Sequence, residues 1–193
     1  TLVRGDGCTD RFQCPYHGWT YDLDGRLTSA PRMAGVAAFN RETMGLLKRH
    51  AATWGPLLFL YMGDDPPDLD TVMAPLTERL DPSSWDELTW SGREDHAVES
   101  NWNVYVDNYL DGGYHVPTLH KGLSEDLDLS SYTTELLDTA AIQRVSGATD
   151  ANRIGEGAQY TWVYPNLMVN RYGPVLDVNI VIPVTAERTT VRF

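Results

Sequence analysis

Only two of the 193 residues are cysteine, Cys8 and Cys14. That is too few for a disulfide framework, which excludes a small stapled extracellular domain and fits a reducing compartment, the cytoplasm. Basic residues are also scarce. Fifteen Lys and Arg stand against twenty-seven Asp and Glu, a formal charge of −12 with no basic stripe, which argues against nucleic acid as a partner. There is no run of about twenty apolar residues and no charged-then-apolar leader, so nothing in the sequence predicts a membrane span or export. Internal repeats and low-complexity tracts are missing too. The length suffices to bury a core in one ordinary domain or two small ones.

With cysteine and histidine so rare, their spacing carries information. The run Cys14-Pro15-Tyr16-His17-Gly18-Trp19 places a thiolate and an imidazole on a tight Pro/Gly loop. Both side chains can turn toward one metal, and mixed sulfur and nitrogen ligation suits zinc or an iron–sulfur centre. A buried structural cysteine beside a satisfied histidine is the alternative, weakened by Pro15, Gly18 and Trp19.

From Phe12 to Leu60 the chain reads as short strands and turns. Asp24-Gly25 marks a hairpin, and Trp54-Gly55-Pro56 precedes the apolar run Leu57 to Met62. The acidic, proline-rich stretch Asp64 to Asp68 then opposes both helix and central strand and marks a domain boundary, giving domains 1–65 and 66–193. A short helix is predicted over Pro75 to Leu80 and a turn over Asp81-Pro82-Ser83-Ser84. A longer helix starts at Ser100 or Asn101, either of which can cap it. Trp102, Tyr105, Val106, Tyr109 and Leu110 follow at helical spacing, and Gly112-Gly113 loosens the end. Runs from Gln159 to Val163, Leu167 to Tyr172 and Leu176 to Val184 read as strands. A small β domain, then a helix, then a sheet predicts an α+β second domain.

The segment Asp107 to His120 holds two further histidines and two carboxylates. On an unbroken helix His115 and His120 would point about 140° apart. Pro117 disfavours continued helix and lets the chain bend, so that His120 swings back toward His115. Two imidazoles plus a carboxylate, with open coordination positions, is the facial arrangement that suits non-haem Fe(II). Structural or exposed histidines are the alternative. Zinc hydrolysis is a further one, without an H-E-x-x-H pattern to support it. Asp107 and Asp111 precede His115 by eight and four positions on a slowly drifting helical stripe.

The Cys14 to Trp19 loop, with Phe12 before it and Thr20 to Leu27 after it, resembles the second cluster-binding loop of Rieske oxygenases. The Asp107 to His120 segment resembles the mononuclear-iron helix of their α subunits. The resemblance implies a partial all-β Rieske domain followed by a partial helix-grip catalytic domain, an antiparallel sheet plus helix. It also implies that Cys14 and His17 bind a [2Fe–2S] cluster and that His115 and His120 bind mononuclear non-haem Fe(II). In the family, two histidines on one iron raise the cluster potential above that of an all-cysteine ferredoxin. The family's Cys-x-His loop has no match, since Cys8 is followed by Thr9 and Asp10, so the chain is expected to begin just after that loop. The acid that completes the iron ligands is expected beyond Phe193, with Asp177 a formal alternative. Where most of the family has a carboxylate three residues before the first iron histidine, this chain has Gly112, and Asp111 is the first substitute for that bridging acid. Asp107 and Asn108 match the family's acid-Asn pair, with support of the ligands as the implied role.

The segments Asp107 to His120, Leu129 to Thr134 and Tyr164 to Pro174 resemble the choline monooxygenase branch. The implied reaction uses O₂ and electrons from a ferredoxin or an NAD(P)H-dependent reductase to oxidise choline to betaine aldehyde. Tyr160, Trp162, Tyr164 and Tyr172 are available to box a quaternary ammonium. The resemblance further implies a homotrimer or other oligomer. An aromatic ring-hydroxylating dioxygenase α subunit and a Rieske electron carrier without oxygenase activity are the rival readings. This segment alone is expected to be inactive, because it lacks a cluster loop and an iron ligand.

Overall fold

The computed structural model describes residues 1–80, 82–148 and 157–193, with 82–84 described by backbone alone. They form two compact units, Thr1–Asp86 and Glu87–Phe193.

The first unit opens with an antiparallel sheet of three short strands, β1 (Arg11–Gln13), β2 (Thr20–Asp22) and β3 (Leu27–Ser29). The hairpin expected at Asp24-Gly25 joins β2 to β3. Gly25 takes the left-handed φ of +80°, and the Asp22 carboxylate accepts the Arg26 N–H at 2.8 Å. A second hairpin pairs β4 (His50–Trp54) with β5 (Leu57–Tyr61) and turns at Gly55-Pro56.

Helix α1 spans Leu69–Leu80 and therefore starts well before the Pro75 expected from sequence. The Asp68 carboxylate accepts hydrogen bonds from the Thr71 N–H at 3.2 Å and the Thr71 hydroxyl at 2.6 Å. That satisfies an otherwise free first-turn donor, so the acidic stretch begins the helix instead of only breaking the chain. Met73, Leu76 and Leu80 recur at helical spacing and are buried. The Trp54 indole N–H donates to the Thr77 hydroxyl at 2.8 Å, tying α1 to β4. The division expected at 65/66 thus differs from the compact-unit division at 86/87, because α1 packs back onto the first unit. A 3₁₀ helix follows over Pro82–Glu87, and Asp81, first residue of the turn expected at 81–84, lies outside the described residues.

The second unit is an antiparallel sheet with helices on one face, the α+β arrangement expected. In chain order its elements are β6 (Asp95–Val98), α2 (Trp102–Tyr109), α3 (Val116–Leu119), α4 (Lys121–Asp126), β7 (Leu127–Leu136), β8 (Ala140–Gly147), β9 (Gly157–Val163), β10 (Leu167–Tyr172), β11 (Val175–Thr185) and β12 (Arg188–Arg192). The spatial order is β6-β12-β11-β10-β9-β8-β7. Strands β9, β10 and β11 overlie the three runs predicted from sequence, whereas β6, β7, β8 and β12 were not predicted. Strand β8 is buried continuously from Ala140 to Gln143, so it lacks the alternation by which a half-exposed strand is recognised. Val106 of α2 packs on Met168 of β10 and Val181 of β11, and Leu123 of α4 packs on the cluster of Leu127, Val145 and Ala158. Among the described residues no helix is long and apolar enough to cross a membrane.

Candidate metal centre and substrate cavity

The histidine segment begins at α2, whose cap is Asn101, the side chain accepting the Asn103 N–H at 3.0 Å. The helix stops at Leu110, and Gly112 and Gly113 follow with φ of +73° and +77°. Glycine is the residue that enters this left-handed region without steric cost, so the pair redirects the chain. A carboxylate-bearing residue at 112 would be held in this strained backbone conformation.

Asp111, one position earlier, reaches the histidine instead. Its Oδ2 lies 2.6 Å from His115 Nδ1 and accepts the His115 backbone N–H at 3.2 Å, while Oδ1 accepts the Gly113 N–H at 2.9 Å. With Nδ1–H donating to Asp111, the His115 tautomer leaves Nε2 as the free lone pair, the arrangement that orients a metal-binding imidazole. The short α3 carries Pro117 in its first turn and ends at His120, where φ and ψ of −121° and 61° break it from α4. The break brings the two rings together with centroids 5.2 Å apart and planes at 75°. This donor set fits a mononuclear iron through His115 and His120. Among the described residues, no third His, Cys, Asp or Glu joins a group that could hold a metal.

A cavity of about 270 Å³ opens beside the two imidazoles. That lies just below the usual range for ligand pockets. Tyr105, Tyr109, Tyr132, Tyr160 and Tyr172 wall it, together with Phe193. Tyr160, Asn170 and Asp177 form its floor, and they belong to one row across the sheet that begins at Gln143 behind Tyr132. Gln143 of β8 faces Tyr160 of β9, Tyr160 faces Asn170 of β10, and Asn170 faces Asp177 of β11. The Tyr132 hydroxyl donates to Gln143 Oε1 at 2.9 Å, and Gln143 Nε2 donates to the Tyr109 carbonyl at 2.9 Å. The Tyr109 hydroxyl donates to Asn170 Oδ1 at 2.6 Å. Burial, reinforced by neighbouring tyrosines, pushes the Tyr109 and Tyr132 hydroxyls well above the ordinary tyrosine value, so both stay neutral donors.

Of the aromatics proposed from sequence as a box, Tyr160 and Tyr172 line the cavity and Trp162 and Tyr164 do not. Trp162 packs on Val106, Met168 and Val181, and its ring meets Tyr164 edge-on at 6.0 Å. Tyr105, Tyr109 and Tyr132 take their place. Asn108 lines the cavity. Asp107 is exposed, and its side chain makes no hydrogen bond among the described residues.

Cys14 and His17 sit on the connection between β1 and β2. The Cys14 N–H donates to the Trp19 carbonyl at 2.7 Å, and the Gly18 N–H donates to the Cys14 carbonyl at 2.9 Å with φ of +74° at Gly18. These bonds close a six-residue tip that carries both side chains, with Cys14 half-buried and His17 exposed. Trp19 meets Phe39 edge-on at 5.6 Å and braces the tip. A thiolate and an imidazole from one loop fit half of a mixed-ligand iron–sulfur site.

Residues 85–193 match the family described as ring hydroxylating alpha subunit (catalytic domain), more than half of the chain, and residues 1–40 match the Rieske [2Fe-2S] domain. The chain belongs to the ring-hydroxylating α-subunit family. This Rieske oxygenase α-subunit chain is 38% identical to the chloroplastic choline monooxygenase of Arabidopsis thaliana over 211 aligned residues, which cover 100% of the chain and 49% of that relative. It is 34% identical to the chloroplastic choline monooxygenase of Atriplex hortensis, over 94% of the chain and 43% of that protein. The crystal structure of the quaternary ammonium Rieske monooxygenase CntA with its substrate L-carnitine superposes with a TM-score of 0.80 at 25% identity, covering 99% of this chain and 53% of that one. The chain therefore spans about half the length of the relatives it matches. The domain families imply a Rieske cluster and a mononuclear iron as cofactors.

Proposed function

We propose that this chain carries parts of both centres of an oxygenase that hydroxylates a small quaternary amine, with choline as the substrate and betaine aldehyde as the product. The observation that carries this reading is the opening of the His115/His120 pair onto a small cavity walled by tyrosine rings. When bound, the iron supplies O₂ activation and the [2Fe–2S] cluster supplies electrons one at a time, delivered by a ferredoxin or an NAD(P)H-dependent reductase.

The chain's own residues do the rest. Cys14 and His17 hold the cluster on one side, and His115 and His120 hold the iron. Asp111 orients His115 and stands in for the family's bridging acid; Asn108 and the more distant Asp107 have supporting roles. The tyrosine faces attract a cation by their quadrupoles, each contact contributing about 0.5–2 kcal/mol depending on desolvation. A trimethylammonium group held there directs the hydroxymethyl end toward the histidines. One oxygen atom enters a C–H bond of that end, and the other leaves as water with two electrons and two protons; the resulting geminal diol loses water to give the aldehyde. Two cysteines, one of them a cluster ligand in this reading and neither in a disulfide, support a reducing compartment, the cytoplasm. The 65/66 division separates the cluster-binding part from the catalytic part in this reading, and a homotrimer is the assembly it favours.

Turnover of the iron-loaded protein carrying this chain tests the reading, with choline and with aromatic acids as alternative substrates. Betaine aldehyde formation that needs O₂ and reductant is expected, and oxidation of rings alone would overturn it. His115→Ala is expected to lose the mononuclear iron and keep the iron and sulfide of the cluster. Unchanged iron content would remove His115 from the site.

A further inference from the structure

Asp177 is the one carboxylate in the cavity wall among the described residues, and the wall contains no Lys or Arg. Its two oxygens are held by a set of hydrogen bonds with a single direction. The Tyr109 hydroxyl donates to Asn170 Oδ1 at 2.6 Å, which fixes Asn170 Nδ2 as the donor side. Asn170 Nδ2 donates to Asp177 Oδ2 at 3.1 Å and to Asn179 Oδ1 at 3.0 Å. The second bond fixes Asn179 as well, and its Nδ2 donates to Asp177 Oδ1 at 2.9 Å. Both donors that reach Asp177 are amide N–H groups, so both oxygens act as acceptors, as an ionised carboxylate requires. Asn170 and Asn179 are buried at 5% and 3% exposure, which keeps the set rigid.

Both oxygens of this half-buried carboxylate face amide donors, and no Lys or Arg among the lining residues stands opposite it. Its field reaches the ring hydroxyls. Burial is the first cause that raises Tyr105 above the ordinary tyrosine value, and the Asp177 charge is the second. A small cation entering the cavity would lie against tyrosine faces whose hydroxyls at 109 and 132 are already engaged with amides.

We infer that Asp177, held by Asn170 and Asn179, is the counter-charge for the substrate's cationic head group and sets the preference for a cation over a neutral molecule of the same shape. The inference rests on the quaternary-amine reading above and adds the residue that discriminates by charge. The tyrosine faces alone would favour a cation modestly. A fixed carboxylate adds a long-range attraction that a neutral isostere does not feel. Asp177 is therefore a specificity residue, separate from the histidines that hold the iron.

The test is binding to the iron-loaded, full-length protein of choline, tetramethylammonium and 3,3-dimethylbutan-1-ol, the neutral carbon isostere of choline. Asp177→Asn is expected to weaken choline and tetramethylammonium tenfold or more and to leave the isostere within threefold, which also reports an intact cavity. Equal losses for cation and isostere, or no loss for either, would overturn the inference. Asp177→Asn opposes two amide donors, so a variant that keeps the donor and acceptor count, Asp177→Asn with Asn179→Asp, is measured beside it. There the charge moves to a more buried position, and a threefold or greater loss confined to the cations is expected; unchanged cation binding would again overturn the inference. Asp177-dependent binding of tetramethylammonium without choline turnover would sink the choline reading and leave this one standing. Choline turnover with an unchanged cation preference in both variants would do the reverse.

Discussion

Asp111 and His115 are joined twice, through the ring nitrogen at 2.6 Å and through the backbone N–H at 3.2 Å. One carboxylate thus shapes the turn and orients the imidazole. Asp111→Ala is expected to lower the affinity for mononuclear iron by about 10- to 100-fold. Asp111→Asn, which keeps one acceptor oxygen, is expected to lose less. Iron titration of the apoprotein measures both, and equal affinity in all three proteins would show that Asp111 does not orient the ligand.

The two glycines after α2 differ in what surrounds them. A Cβ on Gly113 would lie 2.8 Å from the Tyr132 ring, whereas one on Gly112 would meet nothing within 4 Å. Both positions have a left-handed φ. Gly112→Ala is expected to cost about 1–2 kcal/mol with substrate affinity retained. Gly113→Ala carries the same strain and also displaces Tyr132 from the cavity wall, so it raises KM for the substrate. Identical KM values in the two variants would count against Tyr132 as a wall residue.

In the first unit, α1 is held by burial and by one specific bond. Leu76 is 2% exposed, and Leu76→Ala is expected to cost about 2–5 kcal/mol. Thr77→Val leaves the Trp54 indole N–H without its partner and is expected to cost about 1–3 kcal/mol. Urea unfolding followed by tryptophan fluorescence reads both. An unchanged midpoint for Leu76→Ala would mean that α1 does not belong to this unit's cooperative core.

Arg192 of β12 grips Asp95 of β6 through two hydrogen bonds of 2.9 and 2.8 Å. The hydrogen bonds to that guanidinium hold the Asp95 carboxyl below its ordinary value of 3.8. Since the folded pKa is the lower one, the pair stabilises the fold above the unfolded value, and that contribution is lost as pH falls through the folded value. Asp95→Asn is expected to lower Tm slightly at neutral pH and to match the parent once both are acidified below the folded pKa. A difference that persists or grows in acid would contradict this.

Local chemistry made parts of the site legible in the sequence. Cys14 and His17 share a six-residue loop, and Pro117 announces the bend that joins His115 to His120. The walls of the cavity were less legible, because register is a property of pairing between strands. Tyr160, Asn170 and Asp177 share a row only through pairings between β9, β10 and β11, and none of these is written in the spacing of the residues. Trp162 lies two residues from Tyr160 and shares its face, yet it packs with Val106 under α2, beyond the reach of the cavity. Tyr132 belongs to a polar, unpredicted strand, and its role depends on Gln143 in another.

The helical segment that carries the histidines runs between β6 and β7, the two opposite edges of the sheet. Strand β6 pairs with β12, and the Asp95–Arg192 contact spans 97 positions in the chain. On a ribosome, His115 and His120 therefore emerge well before the strands beneath them. Until those strands form, the two imidazoles lack the row of Tyr160, Asn170 and Asp177 that walls their cavity. The cavity beside the two imidazoles is therefore assembled only when β9, β10 and β11 have paired, which ties the site to contacts made late in the folding of this sheet.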